Sequence, residues 1–575
     1  MSRRLVIVIS IVFLLIVGGY LYFRFGYLKV EDFKPDTAKQ KNFIDIRPAI
    51  IAKLQQLVKT GSNGLYILSV EKLEPDILNS KLDVSGATIR IDTSAMLRLD
   101  SLRLLPDDIF TFRFSSLHID GLGIDDLLHK DRLEISGIKV TSPLINVYHK
   151  RRLYNQEDRR KNDTLSLYEK LKGQMKKIAI GKIEIVQGSF INYDLHKKNK
   201  STKFNDVSIL VNNLLIDSSS QHDKSRFLFS KHATLKTKNY SIATADSLYY
   251  FKAGNISISG EQHTITALNV ELKPRYNREQ FEKKLHYGKD MYHLVLPKVI
   301  LKNVNWQSLI NSEKLITEEA EIAGGSFTIF FDRSLPQPPV KFDNFPPQAL
   351  IQLPFPLSIK KINIRHVNFS YEEHNPLTDK NGTIYFDNLV AQINNVSNIA
   401  TEIKNQPSLN FSATALFMHH VPFETQFKFD LSRYRTGEFN ADIKIGSLDK
   451  NTINPVAEPL GLFSLKSGQM QKATVHVVGN NFNTKGNISM YYSNLKIMPL
   501  KKDKEGNLKK KSVTGILANI ILIKNDNPKG KELRQPDFTV IRTTHKNFFN
   551  LLWKSILTGV VKTVGIPEKF AEKKN

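Results

Sequence analysis

Cysteine is absent from the 575 residues, which excludes a disulfide framework, thiolate metal sites and a cysteine nucleophile together. Stability must then come from packing and backbone pairing. Acidic residues are in deficit: 56 Asp and Glu stand against 82 Lys and Arg, for a formal charge of +26. Such an excess raises nucleic acid or anionic lipid as partners. The basic runs Lys150–Arg152, Lys197 with Lys198 and Lys200, and Lys509–Lys511 are scattered through polar, turn-like segments. No nucleic-acid-reading motif surrounds them, so they read first as solvated loops and second as a headgroup-facing surface. An H-E-x-x-H zinc site, a G-x-S-x-G elbow and a G-x-x-x-x-G-K-[ST] phosphate loop are also missing, which removes the strong catalytic signatures. With 41% hydrophobic and 24% charged residues, the chain nevertheless has the composition of a folded protein.

What is present begins with one long apolar run, Leu5–Phe23 (LVIVISIVFLLIVGGYLYF). As a helix it spans roughly 28 Å, close to the ~30 Å hydrocarbon layer of a bilayer. Arg3 and Arg4 precede it, while Arg24 and Lys29 follow it beside Glu31 and Asp32. The positive-inside rule then puts the N-terminus in the cytoplasm and exports the bulk. A signal anchor is expected in preference to a cleaved signal, because the run exceeds the usual h-region and no A-x-A site closes it. Next, Asp45–Gly64 carries Pro48 near a helix start, Ile50, Ile51, Leu54, Leu57 and Val58 at helical spacing, and Gly61 as a stop.

From about Leu65 to about Val540 the dominant period is two. Phe110, Phe112 and Phe114 alternate with Thr111, Arg113 and Ser115, and Phe427, Phe429, Ile443 and Ile445 lie in similar patterns. These are strands with one apolar and one polar face. Helical interruptions are expected only at Leu165–Lys172, Tyr276–Leu285 and Asn454–Leu460. The segment Ile180–Asp194 (IGKIEIVQGSFINYD) returns as Ile359–Glu373 (IKKINIRHVNFSYEE), with partial echoes at Ile135–His149 and Ala320–Asp332. Each full copy is followed by a matched run, Phe204–Leu214 (FNDVSILVNNL) and Phe386–Val396 (FDNLVAQINNV). Two matched elements in one order imply an architecture that grows by repetition.

So many half-apolar strands must close into a barrel, stack as a sandwich, or offer their apolar face to a lipid. Periodicity does not choose among these; a membrane anchor tilts the choice toward lipid. At the C-terminus, Lys546–Gly565 is an amphipathic helix followed by a basic tail. Phe549, Leu552, Trp553, Ile556 and Val560 lie in its apolar stripe, with Lys546, Lys554 and Lys562 displaced from it. It suits a membrane interface or packing against the end of the sheet.

Weaker chemical signals read as structure. His419 and His420 are adjacent, so in a strand they point to opposite faces, and they read as turn residues before Pro422. Gly188 and the Gly324–Gly325 pair precede Ser-Phe at a strand start, where a bulge or tight turn explains them. Asp107 with Asp108, and Glu372 with Glu373, read as solvated pairs without a nucleophile. Neither a catalytic residue nor a metal or cofactor site is expected.

The opening strands in Gly61–Leu82, the unit at Ile180–Asp194 and the segment Asn451–Met470 leading into Gly486–Ile497 together resemble the AsmA-like envelope proteins, over nearly the full length. The resemblance implies a mainly β fold: an elongated, twisted antiparallel β-sheet forming a groove with an apolar interior. It further implies anchoring in the inner membrane by a single span, with the bulk in the periplasm. The expected organisation is a cytoplasmic tip and anchor (1–24), a linker with a short amphipathic helix (25–64), a repetitive β-groove region (65–540) and the C-terminal helix with its tail (541–575). Its expected role is to bind or conduct phospholipid and so contribute to outer-membrane lipid homeostasis, without enzymatic activity. The alternative is a scaffold for envelope assembly or outer-membrane protein biogenesis, with outer-membrane or periplasmic proteins as partners. Nucleic acid is not expected as a partner. Candidate groove-lining residues are Phe110, Phe112, Phe114, Phe427, Phe429, Ile443 and Ile445; candidate membrane-interface residues are Phe549, Leu552, Trp553, Ile556 and Val560.

Overall fold

The computed structural model describes residues 47–566, less 77, 122–131, 156–175, 196–199, 221–222, 224, 228, 245, 286, 341–344, 503–507, 511–522 and 545. The expected anchor Leu5–Phe23 and the expected helix Leu165–Lys172 lie outside the described residues. Among those described, no helix is long and apolar enough to cross a membrane. The chain is mainly β, and it divides into two compact units. One comprises Met1–Ile242 with Ala253–Ala267 and Leu309–Ser312; the other comprises Ala243–Lys252, Leu268–Ser308 and Glu313–Asn575.

The first unit opens with α1 (Arg47–Gly61). Past its end, Asn63 and Gly64 turn left-handed (φ 53° and 84°) and the Gly64 N–H donates to the Lys59 carbonyl at 2.7 Å. That closure satisfies one of the last helical carbonyls and turns the chain into the first strand. Strands β1 (Tyr66–Asp76), β2 (Lys81–Ile91) and β3 (Asp108–Asp120) pair antiparallel in sequence order. Between β2 and β3 sits α2 (Thr93–Ser101), capped by Asp92, which accepts from the Ala95 N–H at 3.0 Å. Strands β4 (Arg132–Thr141) and β5 (Leu144–His149) are one strand broken at Ser142–Pro143, and both pair antiparallel with β3. Strand β6 (Lys177–Asp194) then runs parallel to β4 and β5. Antiparallel β7 (Lys200–Ile216) and β8 (His232–Ala243) follow.

The sheet is therefore mixed, which corrects the antiparallel expectation. A hairpin turn would reverse the chain, but β6 begins at Lys177 opposite Arg132, the end where β4 also begins, so the pairing is parallel. The repeats explain where this happens. The echo Ile135–His149 lies on β4 and β5 beside the unit Ile180–Asp194 on β6, in step from Ile135 opposite Ile180 to His149 opposite Asp194.

In the second unit the same plan recurs with β11 (Met291–Lys302), β12 (Leu315–Ala323), β13 (Ser326–Asp332), β14 (Leu357–Asn375), β15 (Lys380–Ser397) and β16 (Ser408–Phe417). Both β12 and β13 pair antiparallel with β11 and parallel with β14, and β15 and β16 follow antiparallel. Between the two copies of this plan, β9 (Tyr249–Ser259) and β10 (Thr264–Pro274) pair with each other. The ladder of the second unit continues antiparallel through β17 (Val421–Asp430), β18 (Phe439–Ile445), β20 (Phe463–Gly479), β21 (Asn483–Lys502) and β23 (Asp537–Ile541). The short β19 (Leu448–Asp449) pairs with β20, and β22 (Leu508–Lys510) with β21. Helix α3 (Arg278–Lys284) falls where Tyr276–Leu285 was expected. Helix α4 (Lys450–Val456) and the π turn Ala457–Gly461 cover the Asn454–Leu460 segment. Helix α5 (Phe548–Val564) is the expected C-terminal helix and packs on β20, β21 and β23.

A row of left-handed residues interrupts the alternation at matching repeat positions: Ser142, Gln187 and Asp206 in the first unit, and Gly324, His366 and Asn388 in the second. A bulge re-aims the side chains that follow it. In the β4–β5 strand the buried residues run Leu133, Ile135, then Ile138, Val140, then Ile145, Val147, and all six join one core. The inward register thus shifts twice within one strand, and a strict period of two does not describe it.

Candidate functional site

Register places single apolar residues side by side across whole ladders. In the first unit Leu68, Ile89, Phe112, Ile145, Phe190 and Phe204 form a row across β1, β2, β3, β5, β6 and β7. Beyond the bulge, Leu73, Val84, Leu117, Val140, Ile185, Ile209 and Leu235 form a second row. Burial changes along both rows. Leu68, Ile89, Phe112 and Ile145 are 2, 2, 4 and 7% exposed, whereas Phe190 and Phe204 are only half-buried. Helix α1 supplies part of the cover, inserting Leu54 and Val58 into this core and packing against β1.

The second unit repeats the row as Leu294, Phe327, Phe369, Phe386 and Phe417. All five are half-buried. Ring contacts run along it, Phe327 to Phe369 at 5.6 Å, Phe369 to Phe386 at 5.8 Å and Phe386 to Phe417 at 5.4 Å, with Tyr292 joining at 6.1 Å from Phe327. The first unit has the matching contacts, Phe190 to Phe204 at 6.2 Å and Phe204 to Tyr240 at 4.9 Å. Half-exposed rings in one line make a continuous apolar strip within each unit.

The opposite face is polar. Asp83 and His118 face each other across β2 and β3 at 2.5 Å, with Asp120 at 3.0 Å from the other ring nitrogen. The hydrogen bond to Asp83 raises the His118 pKa above its ordinary value. Asp442 with His476 (2.7 Å) and Glu424 with Lys444 (3.3 Å) repeat the pattern on β17, β18 and β20. Exposed pairs of this kind contribute little stability, but they mark this face as the hydrated one.

The candidate groove residues fall into two groups. Phe110, Phe112 and Phe114 are 9, 4 and 5% exposed in the first core. Phe429 and Ile443 are 5 and 6% exposed, and Phe427 and Ile445 pack on the same cluster. Phe427 and Phe429 lie 6.0 and 5.9 Å from the ring of Phe548 on α5. These seven residues therefore sit in covered parts of the two units. The half-exposed residues of the rows, Phe190, Phe204, Phe369 and Phe386, were legible as the repeated phenylalanines of the matched segments, a stronger signal than alternation.

Of the candidate interface residues on α5, Leu552 is 8% exposed, and Ile556 and Val560 pack against the second core. Phe549 and Trp553 are 53 and 49% exposed and point away from it. The helix start is tied down by polar contacts. Asn547 caps it, accepting from the Asn550 N–H at 2.9 Å, and donates through Nδ2 to Asp290 Oδ2, also at 2.9 Å. Tyr292 donates to the same carboxylate oxygen, and burial raises the Asp290 pKa. Burial likewise lowers that of Lys546, whose ammonium lies 4.9 Å from the Phe331 ring centroid.

Several residues read as solvated are not. Asp107 is 3% exposed and accepts from the Arg152 N–H at 2.9 Å and Asn155 Nδ2 at 2.8 Å. Arg152 is itself 7% exposed and donates to Asp100 and to the Pro106 carbonyl. Glu372 takes both terminal nitrogens of Arg278, while Glu373 accepts from Tyr371 at 2.8 Å and pairs with Arg333 at 3.3 Å. Sequence adjacency could not reveal these distant partners. The glycines do lie at a tight feature: Gly324 and Gly325 have φ of 72° and 113°. His419 turns left-handed in the β16–β17 hairpin and pairs with Asp387 at 2.6 Å. Among the described residues no group of His, Asp or Glu is placed to hold a metal ion.

No protein-family profile matches this chain, and no curated protein matches it.

Proposed function

We propose that this protein is a non-enzymatic lipid carrier in which acyl chains lie along the apolar strip of each unit while headgroups stay in water. In this reading it is anchored in the inner membrane by Leu5–Phe23, works in the periplasm and serves outer-membrane lipid homeostasis. The supporting observation is the registered row of half-exposed aromatic side chains, present at the same repeat positions in both units and backed by a hydrated opposite face. Burying a methylene contributes about 0.8 kcal/mol, so a chain of about sixteen carbons gains on the order of 10 kcal/mol before ordering costs. A strip of rings and aliphatics supplies that gain without demanding one chain length. The resemblance to AsmA-like proteins supports the same reading.

The test is to purify the protein, extract it and identify bound lipid by mass spectrometry, then to follow lipid transfer between vesicles. Phe369→Asp with Phe386→Asp in the second unit, and Phe204→Asp in the first, place charges on the strip at side chains that are not packed against the covered cores. Bound lipid and transfer are expected to fall at least tenfold. Transfer that persists in the combined variant, or a protein that carries no lipid, refutes the proposal.

A further inference from the structure

On the first unit's polar face, at the break between β4 and β5, lies an open cleft of about 720 Å³. Strand breaks create it: Ser142 and Gln187 are both left-handed, and Gly86 on β2 is left-handed at φ 61°. Arg113 from β3 and Lys203 from β7 both line the cleft. Both are exposed, and neither side chain has a hydrogen-bond or ion-pair partner among the described residues. Elsewhere on this face His118, Lys177 and Lys238 meet cross-strand carboxylates, while Arg90, Lys139 and Lys236, like these two, have no such partner among the described residues. The hydroxyls of Ser115, Ser142 and Ser189 and the amide of Gln187 supply further polar groups, and Leu144 and Ile191 add apolar surface. One carboxylate, Glu71, also lines the cleft, with its side chain folded across Gly86.

The internal repeat shows that the fold does not require these cations. Arg113 stands opposite Leu144, and Leu144 opposite Ser189. The matching positions in the second unit are Val295, Ser326 and Asn368, paired in the same way. Lys203 stands opposite Ile191, and its counterpart Tyr385 opposite Ser370. The same bulged backbone is therefore built with valine and tyrosine where the first unit carries arginine and lysine.

We infer that this cleft is a binding site for a phosphodiester group. Two cations against one carboxylate leave a single positive charge, which complements the single negative charge of a phosphodiester. An arginine fork with serine hydroxyls matches the acceptor oxygens of such a group, and the apolar wall accommodates a short carbon substituent. The group could belong to a lipid headgroup or to a soluble glycerophosphodiester. The inference is independent of the acyl-chain reading, because it concerns the hydrated face and is probed with soluble ligands.

The experiment titrates the full-length protein in detergent with three probes: dihexanoyl phosphatidylglycerol, glycerophosphoglycerol and the uncharged dihexanoylglycerol. Calorimetry is expected to show saturable binding of the phosphodiesters and none of the uncharged probe at the cleft. Arg113→Gln and Lys203→Gln should each weaken phosphodiester binding about tenfold, Glu71→Gln should strengthen it, and added salt should weaken it. The substitutions are at exposed positions, and an unchanged melting temperature verifies the fold. At least tenfold tighter binding of the acylated probe identifies a lipid headgroup; equal affinity identifies the free phosphodiester. Binding unaffected by the double variant, equal binding of the uncharged probe, or no binding of either phosphodiester overturns the inference.

Discussion

Phe548 and Phe549 are neighbours at the start of α5 and provide a test of where that helix belongs. Phe548 is 3% exposed and its ring lies 4.9 Å from Phe439, 5.3 Å from Phe345, 5.9 Å from Phe429 and 6.0 Å from Phe427. Phe548→Ala removes a ring that packs on Phe345 and on rings of β17 and β18, and leaves a cavity that α5 and these two strands cannot close. Large-to-small changes of this kind cost about 3–5 kcal/mol, and the lost ring pairs put this site toward the upper end. Phe549 is 53% exposed, so Phe549→Ala should cost less than about 1 kcal/mol. The assay is urea unfolding followed by tryptophan emission. The chain has two tryptophans: Trp553 on α5, half-exposed, and Trp306, 6% exposed. Both belong to the second unit. Its midpoint should drop clearly for Phe548→Ala, with thermal unfolding lowered by on the order of 10 °C, and should barely move for Phe549→Ala. Equal, small effects of the two changes would refute the packing argument. A vesicle-binding loss for Phe549→Ala without a stability change would show that the outer face of α5 meets a membrane.

Gly325 has φ of 113° and a Cβ built there would lie 2.2 Å from the Val295 carbonyl oxygen, whereas at Gly324 only Pro297 comes near, at 3.8 Å; Gly325→Ala should therefore destabilise clearly more than Gly324→Ala, each by more than about 1 kcal/mol, as read by paired denaturation curves. Thr484 and Ser555 are both fully buried and share a hydrogen bond of 2.6 Å between β21 and α5; Ser555→Ala leaves the Thr484 hydroxyl without that partner and should cost about 1–3 kcal/mol, and a double-mutant cycle with Thr484→Val should recover part of it. His118 has its pKa raised above 6.5, first by the hydrogen bond to Asp83; the contribution of this group is complete below its unfolded pKa and disappears as pH rises through the raised folded value. Asp83→Asn should bring the His118 titration down toward 6.5 in an NMR experiment, and an unchanged titration would contradict the pairing.

The repeat was the most informative part of the sequence. Matching Ile135–His149, Ile180–Asp194, Ala320–Asp332 and Ile359–Glu373 identified strands that share positions in the fold, and register then set them side by side. Parallel pairing was not legible, because direction depends on the length and path of the connections 150–176 and 333–356 and not on side-chain alternation. Nor were the short helices Thr93–Ser101, Trp306–Ser312, Pro346–Ile351 and Ala400–Asn405. All are under ten residues, too short for a helical period to stand out from the strand pattern around them.

Local chemistry in the chain determined that this protein would be built from strands, that α1 and α5 would be amphipathic helices, and that glycine pairs would mark turns. Those features arise from period, propensity and backbone freedom within a few residues. Tertiary structure alone decided which apolar side chains are covered. Phe112 and Phe190 occupy the same registered row and are chemically identical, yet one is sealed in a core and the other half-exposed. The difference lies in neighbours brought from distant parts of the chain, and so does the lack of a partner for Arg113 and Lys203 among the described residues. A side chain's exposure is a property of what packs over it, and no local pattern carries that information.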